Sequence, residues 1–101
     1  MCNIDNLMRS IENIVCDFFM IPYSEAFSKN TKRDKVLVRH FVIFILHKQY
    51  KVSTAVLSKR YSHSERHIKY ICACMKNHIT YDKQYQVYKV CLEQLLKKGE
   101  C

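Results

Sequence analysis

The sequence predicts an all-α fold, a compact helical bundle of five to six helices, and three observations predict it. Apolar residues recur three and four positions apart along most of the chain, as on one face of a helix. The 101 residues include one glycine and one proline, too few for the turns of β-hairpins. With 49% hydrophobic residues the chain can build one modest core, so we expect a single domain over residues 1–101.

A proline separates the first two helices. Residues 3–20 place apolar side chains at helical spacing and predict an amphipathic helix. Pro22 ends this helix and favours a short second one at residues 23–27, because proline suits the first helical position. Residues 28–33, SKNTKR, follow as a polar and basic linker.

The third helix is expected to be long, over residues 34–50. Its segment 36–46 is apolar except at Arg39 and His40, which predicts the buried centre of the bundle. A run of about eleven residues cannot cross a hydrocarbon core of about 30 Å, so no membrane partner is expected.

Residues 53–79 predict a helix-turn-helix, two helices joined by a tight polar turn. The first helix begins with Ser53 or Thr54 as its cap. The second helix covers about residues 63–79 and buries an apolar stripe at helical spacing. That stripe consists of Ile68, Ile71, Cys72, Met75 and Ile79.

The start of the second helix has two candidate caps. Ser62 lies three residues before Glu65, the spacing of a capping box, and Ser64 competes with it. The N-terminal side chains of such a recognition helix enter the major groove of DNA. Here those outside the apolar stripe are Arg66, His67, Lys69 and Tyr70.

The last helix is expected over residues 83–98. Asp82 or Thr80 provides its cap, and Gly99 ends it. Tyr81, Tyr85 and Tyr88 are expected to pack the helix against the rest of the protein, and the alternative is an aromatic patch that binds a partner.

The charge distribution indicates a polyanionic partner. The formal net charge is +8. Residues 1–28 carry one basic and four acidic residues, whereas residues 29–101 carry sixteen basic and five acidic ones. The basic part contains the predicted helix-turn-helix, which favours double-stranded DNA as the partner. The alternative is a charged surface that only keeps a small protein soluble.

Cysteines and histidines give no sign of a metal site, and no catalytic arrangement is evident. The first ten residues do not resemble a signal peptide, so a reducing, cytoplasmic location is expected. Cys16, Cys72 and Cys91 occupy inward helical positions and are interpreted as buried hydrophobes. The five histidines lack ligand spacing. No enzyme activity, cofactor, metal or small-molecule substrate is therefore expected.

Several motifs occur in the order found in one family. An amphipathic helix of the form I-x-x-x-V-x-x-[YF]-[YF]-x-I is followed by a basic linker and by an arginine early in a long helix. The matching residues are Ile11, Val15, Phe18, Phe19, Ile21, Ser28, Lys29, Lys32, Arg33 and Arg39. Over residues 11–79 the chain thus resembles the C-terminal DNA-binding domain of the bacterial replication initiator DnaA, of the Trp-repressor-like helix-turn-helix group.

The resemblance implies duplex DNA binding in replication or transcription control, with Arg39 in the minor groove beside the recognition helix. The family signature G-G-R-D-H-[ST]-T-V is replaced here by SHSERHI at residues 62–68, so the family's target sequence is not transferred. An alternative is a protein-interaction module of the same fold that binds a replication protein or another acidic partner.

The remaining DNA-binding candidates divide by role. Cations beside the recognition helix are interpreted as phosphate contacts, which set affinity without carrying sequence information. These are Lys32, Arg33, Lys59 and Arg60. Ser53 offers its amide and hydroxyl to a phosphate. His63, at the turn, either contacts a phosphate or is simply exposed, and Ser64 is a further DNA-binding candidate.

Overall fold

The computed structural model describes residues 4–27 and 32–99, and for residues 33, 98 and 99 the backbone alone. Within these residues the chain forms six α-helices and no strand, which confirms the predicted all-α class. The helices are α1 (Ile4–Phe19), α2 (Tyr23–Ala26), α3 (Arg33–Lys48), α4 (Thr54–Tyr61), α5 (Glu65–Tyr81) and α6 (Lys83–Gly99).

The helices follow the predicted order, and their ends differ by a few residues. α5 begins at Glu65 and continues to Tyr81, two residues later at each end than the sequence predicts. Most of the linker, residues 28–31, lies outside the described residues. Asp82 separates α5 from α6, and its carboxylate accepts a hydrogen bond from the Gln84 N–H at 2.9 Å, as a cap of α6 should.

Two helices, α1 and α4, end in a residue with positive φ that is not glycine, and a third such residue lies in the segment after α3. Met20, Lys51 and Ser62 have φ values of 58°, 59° and 56°. The His63 N–H then donates to the Ser58 carbonyl at 3.1 Å, the backbone bond that closes a helix C-terminus. This conformation costs a residue with a Cβ about 1–2 kcal/mol, so glycine would suit each position better.

α3 is the central helix, as predicted. Every residue from Phe41 to Leu46 is buried, and Val38 is also fully covered. α1, α2 and α5 all pack against it. Residues 41–46 therefore have no solvent face, which explains why this stretch of the sequence is entirely apolar.

An aromatic cluster joins α6 to this centre. The ring of Tyr88 meets the ring of Phe19 nearly edge-on, with centroids 4.9 Å apart. Tyr85 stacks on Phe41 at 5.7 Å. The predicted packing role is confirmed for Tyr85 and Tyr88, whereas it is wrong for Tyr81, which is 85% exposed. None of the described helices combines the length and apolar character needed to span a membrane.

Candidate nucleic-acid interface

α5 separates its side chains into a buried face and a basic face. Arg66 and Lys69 are exposed, and Tyr70 is 64% exposed. The buried face is formed by Ile68, Ile71, Cys72 and Met75. Glu65, at the first position, is the only acidic residue in the sequence of this helix. The predicted sorting of apolar and basic residues is confirmed.

Ser64, not Ser62, caps α5. The Ser64 hydroxyl accepts a hydrogen bond from the His67 N–H at 3.1 Å, whereas Ser62 ends α4 in the left-handed conformation. Glu65 does not reach back to a cap, because its Oε1 accepts a hydrogen bond from the Thr54 hydroxyl at 2.7 Å. The expected capping box is therefore wrong, and Glu65 ties the start of α5 to the start of α4.

Two of the predicted site residues at the other helix of the pair, Ser53 and Lys59, lie at the surface. Ser53 is the N-cap of α4, and its hydroxyl accepts a hydrogen bond from the Val56 N–H at 3.3 Å. Lys59 is exposed on α4, and Lys32 is exposed before α3. The side chain of Arg33 lies outside the described residues.

Arg60 is bound inside the protein, which corrects its expected role as a phosphate contact. Its Nε donates to Glu12 Oε2 at 2.9 Å, and its Nη2 donates to Glu12 Oε1 at 2.8 Å. The Glu12 side chain is 1% exposed and that of Arg60 is 23% exposed. A carboxylate that leaves water needs such a bidentate partner, so Arg60 is committed to the α1–α4 contact.

Two tyrosines complete the shell of Glu12. The Tyr61 hydroxyl donates to Glu12 Oε2 at 2.6 Å, and the Tyr23 hydroxyl donates to Oε1 at 3.2 Å. Burial and this carboxylate together raise the pKa of Tyr61 and that of Tyr23. Tyr61, the last residue of α4, therefore donates a hydrogen bond through its hydroxyl and stacks its ring on that of Phe27.

Arg39 is half-buried and holds α3 to the end of α2. Its Nη1 donates to the Ala26 carbonyl at 3.0 Å. Burial lowers the pKa of its guanidinium, which nevertheless stays a cation at neutral pH. Insertion into a minor groove would require the side chain to leave this carbonyl.

Three aromatic rings form a row that begins at the turn before α5 and continues along this helix. The ring centroids of His63 and His67 lie 4.6 Å apart, and the ring of Tyr70 stacks on that of His67 at 6.2 Å. Burial, followed by the neighbouring charges of His67 and Arg39, lowers the pKa of His63.

The pKa of His40, which lies on α3 behind this row, is also lowered. Burial lowers the pKa of His40 to about 4, and the surrounding positive charges lower it as well. These charges belong to Arg39, His67, His63 and His78. His40 is therefore neutral at pH 7.

A cavity of about 840 Å³ opens between α1, α2, α3 and the turn from α4 to α5. Four of the predicted site residues line it, namely Arg39, Arg60, His63 and His67. The other predicted residues of α5, Arg66, Lys69 and Tyr70, are not among the residues that line it. The structure thus divides the predicted site into an outward face and a recessed one.

Sequence reasoning missed two residues of this region. Glu12 enters the sequence prediction only as one of the four acidic residues of residues 1–28, although it lies four residues after Met8 and three before Val15, on the apolar face of α1. Lys76 is exposed on α5 ten residues after Arg66 and seven after Lys69, so helical spacing places all three on one side.

The described cysteines are free, and two of them are buried. Cys16 and Cys72 are 3% and 4% exposed, which confirms their role as buried hydrophobes, whereas Cys91 is half-buried. Burial raises the pKa of Cys16 to about 11, with the charges of Glu12 and Asp17 adding to the effect. Among the described residues, no group of three His, Cys, Asp or Glu side chains could hold a metal ion.

Comparison with known proteins finds no relative of this chain. No family model matches the chain, and neither the curated proteins nor the solved structures provide a match.

Proposed function

We propose that this protein binds double-stranded DNA, with α4 and α5 as a helix-turn-helix and α5 as the helix in the major groove. The observation that carries the proposal is the basic outward face of α5, formed by Arg66, Lys69 and Lys76. We expect such an interface to act in the control of replication or transcription.

The local structure supports a rigid recognition helix. Ser64 caps α5, and the bond between Thr54 and Glu65 joins the N-terminal ends of the two helices. Four buried side chains anchor the opposite face of α5 in the core. A recognition helix held in this way can present its first two turns to base edges without a large loss of conformational entropy on binding.

Roles on this surface follow from exposure and chemistry. Arg66 is the candidate for bidentate contact with guanine, and Lys69 and Tyr70 are candidates for neighbouring contacts. Lys59 and the start of α4 at Ser53 suit phosphates. Arg60 and Arg39 are left out of the proposed surface, because both hold internal contacts.

Single substitutions test the roles. Arg66→Gln should weaken binding to a preferred duplex by about 1–3 kcal/mol and relax the preference at one position, whereas Lys59→Gln should weaken all duplexes equally. Selection from a random duplex library gives the preferred site, and fluorescence anisotropy gives the affinities.

Lys83→Gln is the matched control, because it also removes one positive charge. α5 has 17 residues and is roughly 25 Å long at 1.5 Å per residue, so Lys83 lies far from Arg66. Equal losses for Arg66→Gln and Lys83→Gln would reject α5 as the recognition helix.

Salt dependence tests the partner class. The logarithm of affinity should fall with that of salt concentration with a slope of several units, because phosphate contacts release counterions. Absence of duplex binding at low salt would reject the proposal. It would favour a protein-interaction module, a second candidate supported by the exposed apolar side chains of Val87 and Val90 on α6, which are 55% and 54% exposed.

A further inference from the structure

Exposed aromatic rings follow one side of α5 and the turn before it. Within α5 they are three, eight and three residues apart, and at 3.6 residues per turn these spacings keep them on one side of the helix. Tyr70 and Tyr81 are 64% and 85% exposed, so the packing of the bundle leaves their rings uncovered. The exposed rings belong to His63, His67, Tyr70, His78 and Tyr81.

Contacts between neighbouring rings order this side of α5 near both of its ends. The ring of His67 lies 6.2 Å from that of Tyr70, with an interplanar angle of 23°. The ring of His78 lies 4.8 Å from that of Tyr85 on α6, with an angle of 21°. Rings that are already ordered lose little conformational entropy on binding, and their faces suit a flat ligand.

Positive charge lies beside the rings on the same helix. Arg66, Lys69 and Lys76 are exposed, and residues 66–81 contain no acidic residue. The acids that flank this segment lie at its two ends. Glu65 accepts a hydrogen bond from the Thr54 hydroxyl, and Asp82 accepts one from the Gln84 N–H. The side of α5 between them therefore suits a linear polyanion.

Duplex DNA does not use the full length of this surface. Bases in a duplex are stacked on one another, and the grooves present only their edges. Tyr81 lies 15 residues after Arg66, about 22 Å along the helix at 1.5 Å per residue, whereas the major groove is about 12 Å wide. A helix that enters the groove with its N-terminal end leaves Tyr81 outside. Unpaired bases, in contrast, stack on aromatic side chains whatever their sequence.

We propose that this side of α5 binds single-stranded DNA, with the bases against the exposed rings and the phosphates at Arg66, Lys69 and Lys76. Proteins select RNA through its 2′-hydroxyl, and no carboxylate between Arg66 and Tyr81 could accept a hydrogen bond from that group. The proposal goes beyond the duplex binding proposed above. The two ligands share α5 and compete for it, but neither activity requires the other.

The test compares a thymidylate dodecamer with an abasic dodecamer that has the same phosphate backbone and no bases. Fluorescence anisotropy with the full chain at low salt gives both affinities. The thymidylate strand should bind at least about tenfold more tightly, because stacking of one base contributes a factor of roughly 5 to 150. Equal affinities would overturn the proposal, since only phosphates would then be recognised. A uridylate dodecamer that binds about tenfold more tightly with ribose than with deoxyribose would overturn the choice of DNA.

Substitutions of the tyrosines locate the strand. Tyr70→Ala and Tyr81→Ala should each weaken the thymidylate dodecamer about fivefold or more and leave the abasic dodecamer unchanged. Tyr70→Phe keeps the ring and should bind like the wild type. Val87→Ala is the control, because Val87 is an apolar residue that is 55% exposed on α6. All three positions are exposed, so the midpoint of thermal unfolding should stay near that of the wild type. Wild-type affinity of both alanine variants of the tyrosines would overturn the role of the rings.

Tyr81 also separates the single strand from the duplex. Tyr81→Ala should weaken the thymidylate dodecamer and leave the duplex affinity equal to that of Val87→Ala. Equal weakening of both ligands would overturn the proposal, because the ring would then serve the duplex. Failure of the wild type to bind a duplex, with the dodecamer still bound, would reject only the function proposed above.

Discussion

The pair formed by Glu12 and Arg60 should be among the most sensitive points in the protein. Arg60→Met removes the bidentate partner and leaves a carboxylate that is 1% exposed with only the hydroxyls of Tyr61 and Tyr23. Loss of one partner of a buried ion pair costs about 3–5 kcal/mol. Because the Arg60 side chain is 23% exposed, we expect the lower end, about 3 kcal/mol.

The magnitude is large enough to measure in two ways. A loss of about 3 kcal/mol lowers the midpoint of thermal unfolding by roughly 12 °C or more for a domain of about 100 residues. Urea unfolding followed by circular dichroism gives the free energy directly, provided that the slope m is unchanged. Lys59→Met is the control, because Lys59 precedes Arg60 on α4 and is exposed, so its loss should stay within about 0.5 kcal/mol.

A double variant distinguishes an ion pair from simple loss of packing. Glu12→Met combined with Arg60→Met removes both charges, and apolar replacement of a buried pair is often close to neutral. The two tyrosine hydroxyls lose an acceptor, so we expect a total loss of about 1–2 kcal/mol, less than for Arg60→Met alone. A loss for Arg60→Met no greater than that for Lys59→Met, or strict additivity of the two single variants, would refute the assignment.

Three further expectations concern stability. Ser64→Ala should cost about 1 kcal/mol through the lost cap, whereas Ser62→Gly should add about 0.5–1 kcal/mol because glycine adopts positive φ without strain; urea unfolding that gives both the same sign would contradict these assignments. His40 takes up a proton near pH 6.5 in the unfolded chain but only near pH 4 in the native protein. The free energy of unfolding is therefore unaffected by His40 above pH 6.5 and decreases as the pH falls towards 4. As the pH falls through this range, the free energy of unfolding of the wild type should decrease more steeply than that of His40→Gln, by up to about 1.4 kcal/mol per pH unit. Solvent screening reduces this difference to about half, and parallel pH curves would disprove the assignment. Arg39→Ala should cost about 1 kcal/mol through the Ala26 hydrogen bond, and an unchanged unfolding midpoint with weaker binding to A·T-flanked duplexes would restore the minor-groove role.

The sequence by itself determined the class of the fold and the two faces of α5. Apolar spacing is a local property, so residues such as Ile68, Ile71 and Met75 could be assigned to one buried face before any tertiary contact was known. The continuous apolar run of α3 likewise predicted its central place. The exposed positions of Arg66 and Lys69 follow from the same periodicity.

The tertiary structure decided which charged residues are committed to internal contacts. Glu12 and Arg60 are 48 residues apart in the chain, and no local pattern pairs them. The same holds for the bond from Arg39 to the Ala26 carbonyl, which depends on how α2 packs against α3. A basic side chain in the sequence is equally compatible with a surface contact and an internal ion pair, because the difference lies in the partner and not in the residue.

The sequence alone likewise does not decide whether Ser62 or Ser64 caps α5, although the two residues are neighbours in the chain. Both serines offer the cap that the sequence pattern requires, but a residue that closes α4 in the left-handed conformation cannot also begin α5. The start of α5 is therefore set by where α4 ends, and by the bond that draws Glu65 to Thr54. The cavity beside this turn exists only because four separate segments meet there, so its combination of cations and aromatic rings is a property of the assembled fold.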